Sequence, residues 1–144
     1  MPTVSDILSR KGDIVHAVSP MATVLEAVHK MNHHHIGSLV VMDEGFVVGM
    51  FTERDVLKLV GLEQHPGKVR VQEVMTRQVH YCQPSTALDE ASEMMKDHRV
   101  RHLPVCDELG RLRGLISIGD LNAQSVEYQG QTILALNDYI YGRA

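Results

Sequence analysis

The sequence predicts an α+β fold built from two copies of one small unit, each running helical turn, strand, helix, strand, strand, helix. Two observations lead there. The chain aligns with itself, and in each copy apolar runs of strand length alternate with helix-period stretches around the same turn chemistry. From Pro20, "PMATVLEAVHKMNHHHIGSLVVMDEGFVVGMFTERDVL" lies over "PSTALDEASEMMKDHRVRHLPVCDELGRLRGLISIGDLN" from Pro84, with one insertion at Leu109. Pro20/Pro84, Glu26/Glu90, Ala27/Ala91, Met31/Met95, His34/His98, Leu39/Leu103, Val41/Val105, Asp43/Asp107, Gly45/Gly110, Gly49/Gly114 and Asp55/Asp120 are identical pairs, and "VSDIL" answers "VQEVM" upstream.

Taken in order, "VSDIL" and "VQEVM" open the copies as helical turns, and "DIVHAV" and "RQVHYC" follow as short strands. A helix starts after each Pro. Next come paired strands joined by "DEG" or "DELG", where Gly supplies the positive φ that a tight hairpin needs. A second helix begins at "TERDVL" or "SIGDLN". The expected organisation is a first repeat over 1–62, a linker over 63–70 within "GLEQHPGK", a second repeat over 71–127 and a C-terminal helix over 128–144. In that last helix Ile133, Leu136 and Ile140 have helical spacing, suited to docking on the body or on a second copy.

Composition narrows the function classes. A chain of 144 residues with 44% hydrophobic and 22% charged residues can bury about two-thirds of its unfolded surface in a globular core. A net charge of -4, no long Lys/Arg cluster, 4% aromatics and no Trp argue against nucleic acid as a partner. No apolar run approaches the roughly 20 residues of a membrane span, and "MPTVSDILSRKGD" lacks the apolar stretch of a signal peptide, so a cytoplasmic protein is expected. Cys82 and Cys106 read as reduced, partly buried thiols. Met31, Met50, Met94 and Met95 read as core or interface filler.

The run "MNHHHIG" invites a metal reading. On a helix from Thr23, the residues Val24, Ala27, Val28, Met31 and His35 form one stripe, and Glu26, His29 and His33 lie opposite. Adjacent histidines on a helix point apart, so only His29 with His33, helped by Glu26, could share an ion. Such a set lacks a complete ligand shell, and the plainer expectation is a solvated face followed by a helix C-terminus that favours imidazolium.

The most informative motifs are "GMFTERD" and "GLISIGD". Each ends a strand on a hydroxyl residue, Thr52 or Ser117, that also starts a helix, with an aspartate three positions later, Asp55 or Asp120. Helix capping alone explains such a pattern. The same pattern also suits a nucleoside phosphate, because free N–H groups at a helix start attract phosphate while a nearby carboxylate accepts both ribose hydroxyls. Arg54 adds a cation beside the first motif.

Taken together, the paired Gly-apolar-apolar-[Thr/Ser]-x-x-Asp motifs, the strands "IGSLVVMDEG" and "RHLPVCDELG" and the openings "VSDIL" and "VQEVM" resemble a tandem of cystathionine-β-synthase (CBS) domains, a Bateman module. The resemblance covers nearly the whole chain. It implies a β-α-β-β-α unit per repeat, two sheets about a pseudo-twofold axis, and two clefts between repeats for adenosine ligands such as AMP, ADP, ATP, S-adenosylmethionine or NAD(H). It also implies ribose roles for Asp55 and Asp120 and phosphate-proximal roles for Thr52 and Ser117. The Asp55 cleft would add Val79 against adenine and Arg101 and His102 near phosphate, whereas the Asp120 cleft would draw on Ile14, Gly37 and Ser38. Charge-assisted bonds from Arg54 and Arg101 make the Asp55 cleft the stronger expected phosphate site.

No nucleophile stands beside a base in a recognisable motif, and no phosphate loop of the form GxxxxGK[ST] occurs, so binding without catalysis is expected. The expected role is a regulatory module that senses an adenosine nucleotide and signals to another protein, as a homodimer in the family's manner. The alternatives are a structural dimer with vestigial clefts and a metal-responsive protein using the His29/His33 face.

Overall fold

The computed structural model describes residues 2–12, 14–125 and 130; apart from residue 130, the helix expected over 128–144, with Ile133, Leu136 and Ile140, lies outside the described residues. The first repeat contributes α1 (Val4–Lys11), β1 (Ala17–Val18), α2 (Val24–His34), β2 (Ser38–Asp43), β3 (Phe46–Thr52) and α3 (Glu53–Gly61). The second contributes α4 (Val71–Val74), α5 (Leu88–His98), β4 (His102–Cys106), β5 (Leu112–Ser117) and a helical run over 118–125, here α6. One sheet has the order β1-β2-β3, with β1 parallel and β3 antiparallel to β2; the other is the β4-β5 hairpin. Both hairpins carry a register shift at the same place, Val41/Met42 in one and Val105/Cys106 in the other.

The hairpin turns follow their chemistry. Glu44 and Gly45 both have positive φ, 50° and 84°, as a two-residue turn between twisted strands requires. In the second hairpin the extra residue Leu109 is absorbed by Asp107, whose Oδ1 accepts the N–H groups of Leu109 and Arg111 at 2.9 Å each.

The first strand of each repeat is shorter than expected. β1 covers only Ala17 and Val18, because its parallel register, Ala17 opposite Val40, reaches the start of β2 within a few residues upstream. "RQVHYC" keeps a single parallel bridge, Cys82 with Val105. The cause is Pro104. In the first sheet Val40 N–H donates to His16 O at 3.2 Å, and Pro104, at the position equivalent to Val40, has no N–H to offer His80.

The leading helices exchange partners. Val4 N–H donates to Thr86 O and Ser5 N–H to Pro84 O, both at 2.9 Å, while Val71 N–H donates to Ala22 O at 2.8 Å and Gln72 N–H to Pro20 O at 3.0 Å. Val4 and Ile7 accordingly bury in a core with Ala91, Met95, Leu103 and Ile116, and Val71 buries with Val24, Ala27, Leu39 and Phe51. Each repeat's hydrophobic core is therefore closed by the other repeat's first helix.

α2 ends one residue before the stripe expected for it. His35 is its left-handed cap, at φ 54° and ψ 46°, with Ile36 N–H reaching back to Met31 O at 3.0 Å. That corrects the placement of His35 on the apolar face: the stripe stops at Met31, and His35 is exposed. Arg99 caps α5 in the same conformation, at φ 54° and ψ 42°.

Candidate functional site

β3 delivers Thr52 to the start of α3, where Thr52 N–H donates to Asp55 Oδ2 at 2.9 Å. β5 does the same for Ser117, whose N–H meets Asp120 Oδ2 at 2.8 Å while Asp120 N–H returns a bond to Ser117 Oγ at 3.1 Å. Both aspartates thus cap their helices. An ionised carboxylate has about four acceptor sites, so a capping bond leaves capacity for further donors. The first helical N–H of each is also tied to the neighbouring strand segment, Glu53 to Gly37 O at 3.2 Å and Ile118 to Arg101 O at 2.9 Å.

The two ends differ in the space beside them. Asp55 borders a cavity of about 540 Å³ between the repeats, within the roughly 300–1,000 Å³ typical of small-molecule sites. Thr52, Arg54, Asp55, Val79, Arg101 and His102 all line it. Gly37 lines it too, although the resemblance assigned Gly37 to the other cleft. Ser38 is buried opposite Thr52 in the β2-β3 register, and Ile14 is 80% exposed. The depression beside Asp120 is about 180 Å³ and is lined by Ile7, Arg10, Lys11, Asp120, Ala123 and Gln124, so the structure does not gather Ile14, Gly37 and Ser38 there.

Charge around the large cavity is mostly positive. Arg54, Lys58, Arg99 and Arg101 line it together with the acids Asp55 and Glu53. Burial pushes the Asp55 carboxyl above its ordinary value, outweighing the Thr52 bonds and the charges of Lys58 and Arg54 that pull it down. His102 is held below the ordinary imidazole range first by burial and then by the charge of Lys11, with Asp120 and Glu53 opposing. Arg101, just before β4, is exposed and His102, its first residue, is half-buried, and both line the same cavity.

Lys58, Arg99, His80 and His98 border this cavity and were not anticipated from the sequence. Two signals pointed to three of them, and none to Arg99. Lys58 lies one helical turn beyond Asp55, and the paired His16/His34 and His80/His98 occupy equivalent places in the repeats. On α2, Glu26, His29 and His33 are exposed, and among the described residues no group of three His, Cys, Asp or Glu side chains is arranged to hold a metal ion. Cys82 and Cys106 are free thiols; burial pushes Cys82 up to about 12, so it stays protonated at neutral pH and is a poor nucleophile.

Known proteins share this arrangement. The CBS-domain family model matches the chain twice, over residues 4–62 and 71–126. The CBS domain-containing protein YhcV of Bacillus subtilis is 33% identical over 135 residues, covering 92% of this chain and 94% of that protein. A CBS-domain-containing protein of Agrobacterium tumefaciens superposes with a TM-score of 0.79 at 40% identity, covering 85% of this chain and 98% of the other. The CBS domain pair of protein MJ0100, solved with 5′-methylthioadenosine and S-adenosylmethionine, superposes with a TM-score of 0.76 at 25% identity over 85% of this chain and 98% of its own. With two family matches spanning most of its length, a 33% identical relative of the same size and the same paired architecture, the chain belongs to the CBS-domain family.

Proposed function

We propose that the chain is a non-catalytic regulatory module that binds a phosphorylated adenosine ligand, such as AMP, ADP, ATP or NAD(H), in the Asp55 cavity. One observation carries this reading: a single cavity of about 540 Å³ brings a buried carboxylate at a helix start together with Arg54, Lys58, Arg99 and Arg101. Asp55 accepts the ribose hydroxyls. Thr52, the N-terminus of α3 and Arg54 meet the phosphates, with Arg101 and His102 closing from the second repeat. Val79 packs against adenine. The ligands of MJ0100, neither of which carries a phosphate, support the adenosine part of this reading for a relative of this fold, and the phosphate part rests on the cations of the cavity. Ser117 and Asp120 mark a weaker second site in this reading, and Ile14, Gly37 and Ser38, which do not line the depression beside Asp120, have no part in it.

Ligand held by residues of both repeats has a differential interaction with their relative packing, which is what a switch requires. The readout passes to another protein or through a homodimer. The test is a thermal-shift panel of AMP, ADP, ATP, NAD, NADH and S-adenosylmethionine on wild type and Asp55→Ala. A ligand at 100 times its Kd adds about 2.7 kcal/mol. A stabilisation that disappears in Asp55→Ala supports the reading; stabilisation by none of the panel shifts it to a structural module.

A further inference from the structure

The Asp120 end of the molecule carries an internal cation beside its carboxylate. α4 stops after four residues, and Met75 leaves it in extended conformation, at φ -62° and ψ 156°, so that Thr76 pairs with Met50 and the Asp55 side stays open. α1 runs for eight residues, a full turn further, and that extra turn carries Arg10 and Lys11 across to α6. Lys11 Nζ lies 2.7 Å from Asp120 Oδ2 and 2.7 Å from Leu115 O. Arg10 Nη1 donates to Gln124 Oε1 at 2.7 Å. Leu115 is the counterpart of Met50, so a lysine ammonium takes the carbonyl whose equivalent in the first repeat accepts the Thr76 backbone N–H at 2.9 Å. Among the described residues no ion pair reaches Asp55.

We propose that Lys11 is an internal competitor at the Asp120 cleft, holding the carboxylate acceptor that a ribose would need, and so limits each chain to one tightly bound adenosine ligand, at Asp55. The inference rests on the nucleotide reading above and adds the residue that makes the two clefts unequal. Its logic is competitive. A charged donor at 2.7 Å makes a stronger bond to a carboxylate than a neutral hydroxyl, and a ligand must also open a space of about 180 Å³ that is below the usual size of a small-molecule site. Lys11 is also positively charged, so removing it takes away a group that would otherwise attract phosphate; a gain of binding on its removal is therefore the opposite of what a simple phosphate ligand would give.

Isothermal titration with AMP, and separately with S-adenosylmethionine, on wild type, Lys11→Met, Lys11→Arg and Lys11→Met/Asp55→Ala tests this, with circular dichroism melts to verify folding. Expected are one detectable site per chain in wild type and Lys11→Arg, two in Lys11→Met with the Asp120 site about fivefold tighter than in wild type, and one in the double variant. One site in both wild type and Lys11→Met overturns the inference while leaving the Asp55 reading intact, and two sites already in wild type overturn it as well. If wild type binds neither probe but Lys11→Met/Asp55→Ala gains a site, the Lys11 role stands and the Asp55 reading falls. Binding of neither probe by any variant overturns both.

Discussion

His80 and His98 stack with ring centroids 3.5 Å apart and planes 11° from parallel, and His16 and His34 repeat the contact at the equivalent places with 3.9 Å and 24°. Each pair joins the segment at the first strand to the end of the following helix, so the histidine run of α2 works as half of a duplicated aromatic clasp. His33 adds an edge-on contact to His34 at 4.8 Å.

The clasp makes stability fall toward acid. Desolvation and the facing His98 hold His80 below its ordinary value of 6.5, and His34 is displaced in the same direction. A histidine depressed in the folded state contributes stability that is present above its unfolded value and lost as pH falls through the folded one. Melting temperature should therefore drop between pH 7.5 and pH 5.5, and His80→Phe, which keeps a stacking ring without a titrating one, should drop less. An identical pH profile for the two proteins would remove the clasp from the explanation.

Asp55→Asn should separate stability from binding. Asp55 is only 4% exposed and its carboxyl is raised by burial, so its favourable contribution is complete below 3.8 and lost as pH rises through the folded value. At pH 7.5 the ionised group is thus a cost, while asparagine keeps an acceptor for Thr52 N–H. The variant should be more stable than wild type by about 0.5–1 kcal/mol at pH 7.5, lose that advantage at pH 4, and lose nucleotide-dependent stabilisation. Paired melts at the two pH values with and without ATP would decide; destabilisation at pH 7.5 would show that the charge itself is needed for capping.

Lys11 also connects the two clefts through His102, which pairs with Ser117 across the β4-β5 hairpin and lines the Asp55 cavity. Burial depresses this imidazole most, with Lys11 next, and Asp120 opposes them. Lys11→Met should therefore raise the His102 pKa toward 6.5, and proton titration of its ring by NMR should show the change. The same variant should bind phosphorylated ligands more tightly at pH 6 than wild type does, because His102 then adds charge to the cavity.

Lys11 has an effect on stability as well. Burial raises the Asp120 carboxyl, but the Lys11 bond, Ser117 N–H and the Lys11 charge outweigh it and leave the group below 3.8. Its contribution is full above 3.8 and is lost as pH falls through the lowered folded value. With side chains 36% and 24% exposed, the pair is worth no more than about 1 kcal/mol after screening. Chemical denaturation of Lys11→Met should show a deficit of that order at pH 7 that shrinks in 1 M salt; a deficit insensitive to both salt and acid would point to packing by the lysine stem.

Val71→Ala should loosen the sheet of the other repeat. Val71 is fully buried against Val24, Leu39 and Phe51, and shortening it should cost about 1.5–3 kcal/mol. Hydrogen exchange should accelerate at Leu39 and Phe51 more than at Leu103 and Ile116, although Val71 precedes the latter pair in sequence. Val4→Ala should give the reverse pattern.

Much of this architecture was legible in the amino-acid order because it is local. The hairpin acids and glycines, the Thr52/Asp55 and Ser117/Asp120 spacings and the aligned apolar runs each specify structure within a few residues. The six residues expected around Asp55 line one cavity; Thr52, Arg54 and Asp55 were legible from the motif itself, whereas Val79, Arg101 and His102 were expected there only through the family resemblance. The missing strand pairing at His80 was also written in the sequence, in a proline opposite a valine. Partner choice by the leading helices was not legible, since "VSDIL" has the same apolar pattern whichever core it enters. The extra turn of α1 that brings Lys11 to Asp120 depends on where Thr76 pairs, a long-range event with no local signature.

The exchange of leading helices has an evolutionary reading. A single repeat made as a separate chain would hold its first helix away from its own core, and two such chains would satisfy one another by swapping those helices. Joined end to end by the linker after α3, the halves amount to a fused symmetric dimer whose subunit boundary became the cavity wall. Fusion released each copy from identity, and one ancestral pocket could then gain a lysine while its twin kept its opening.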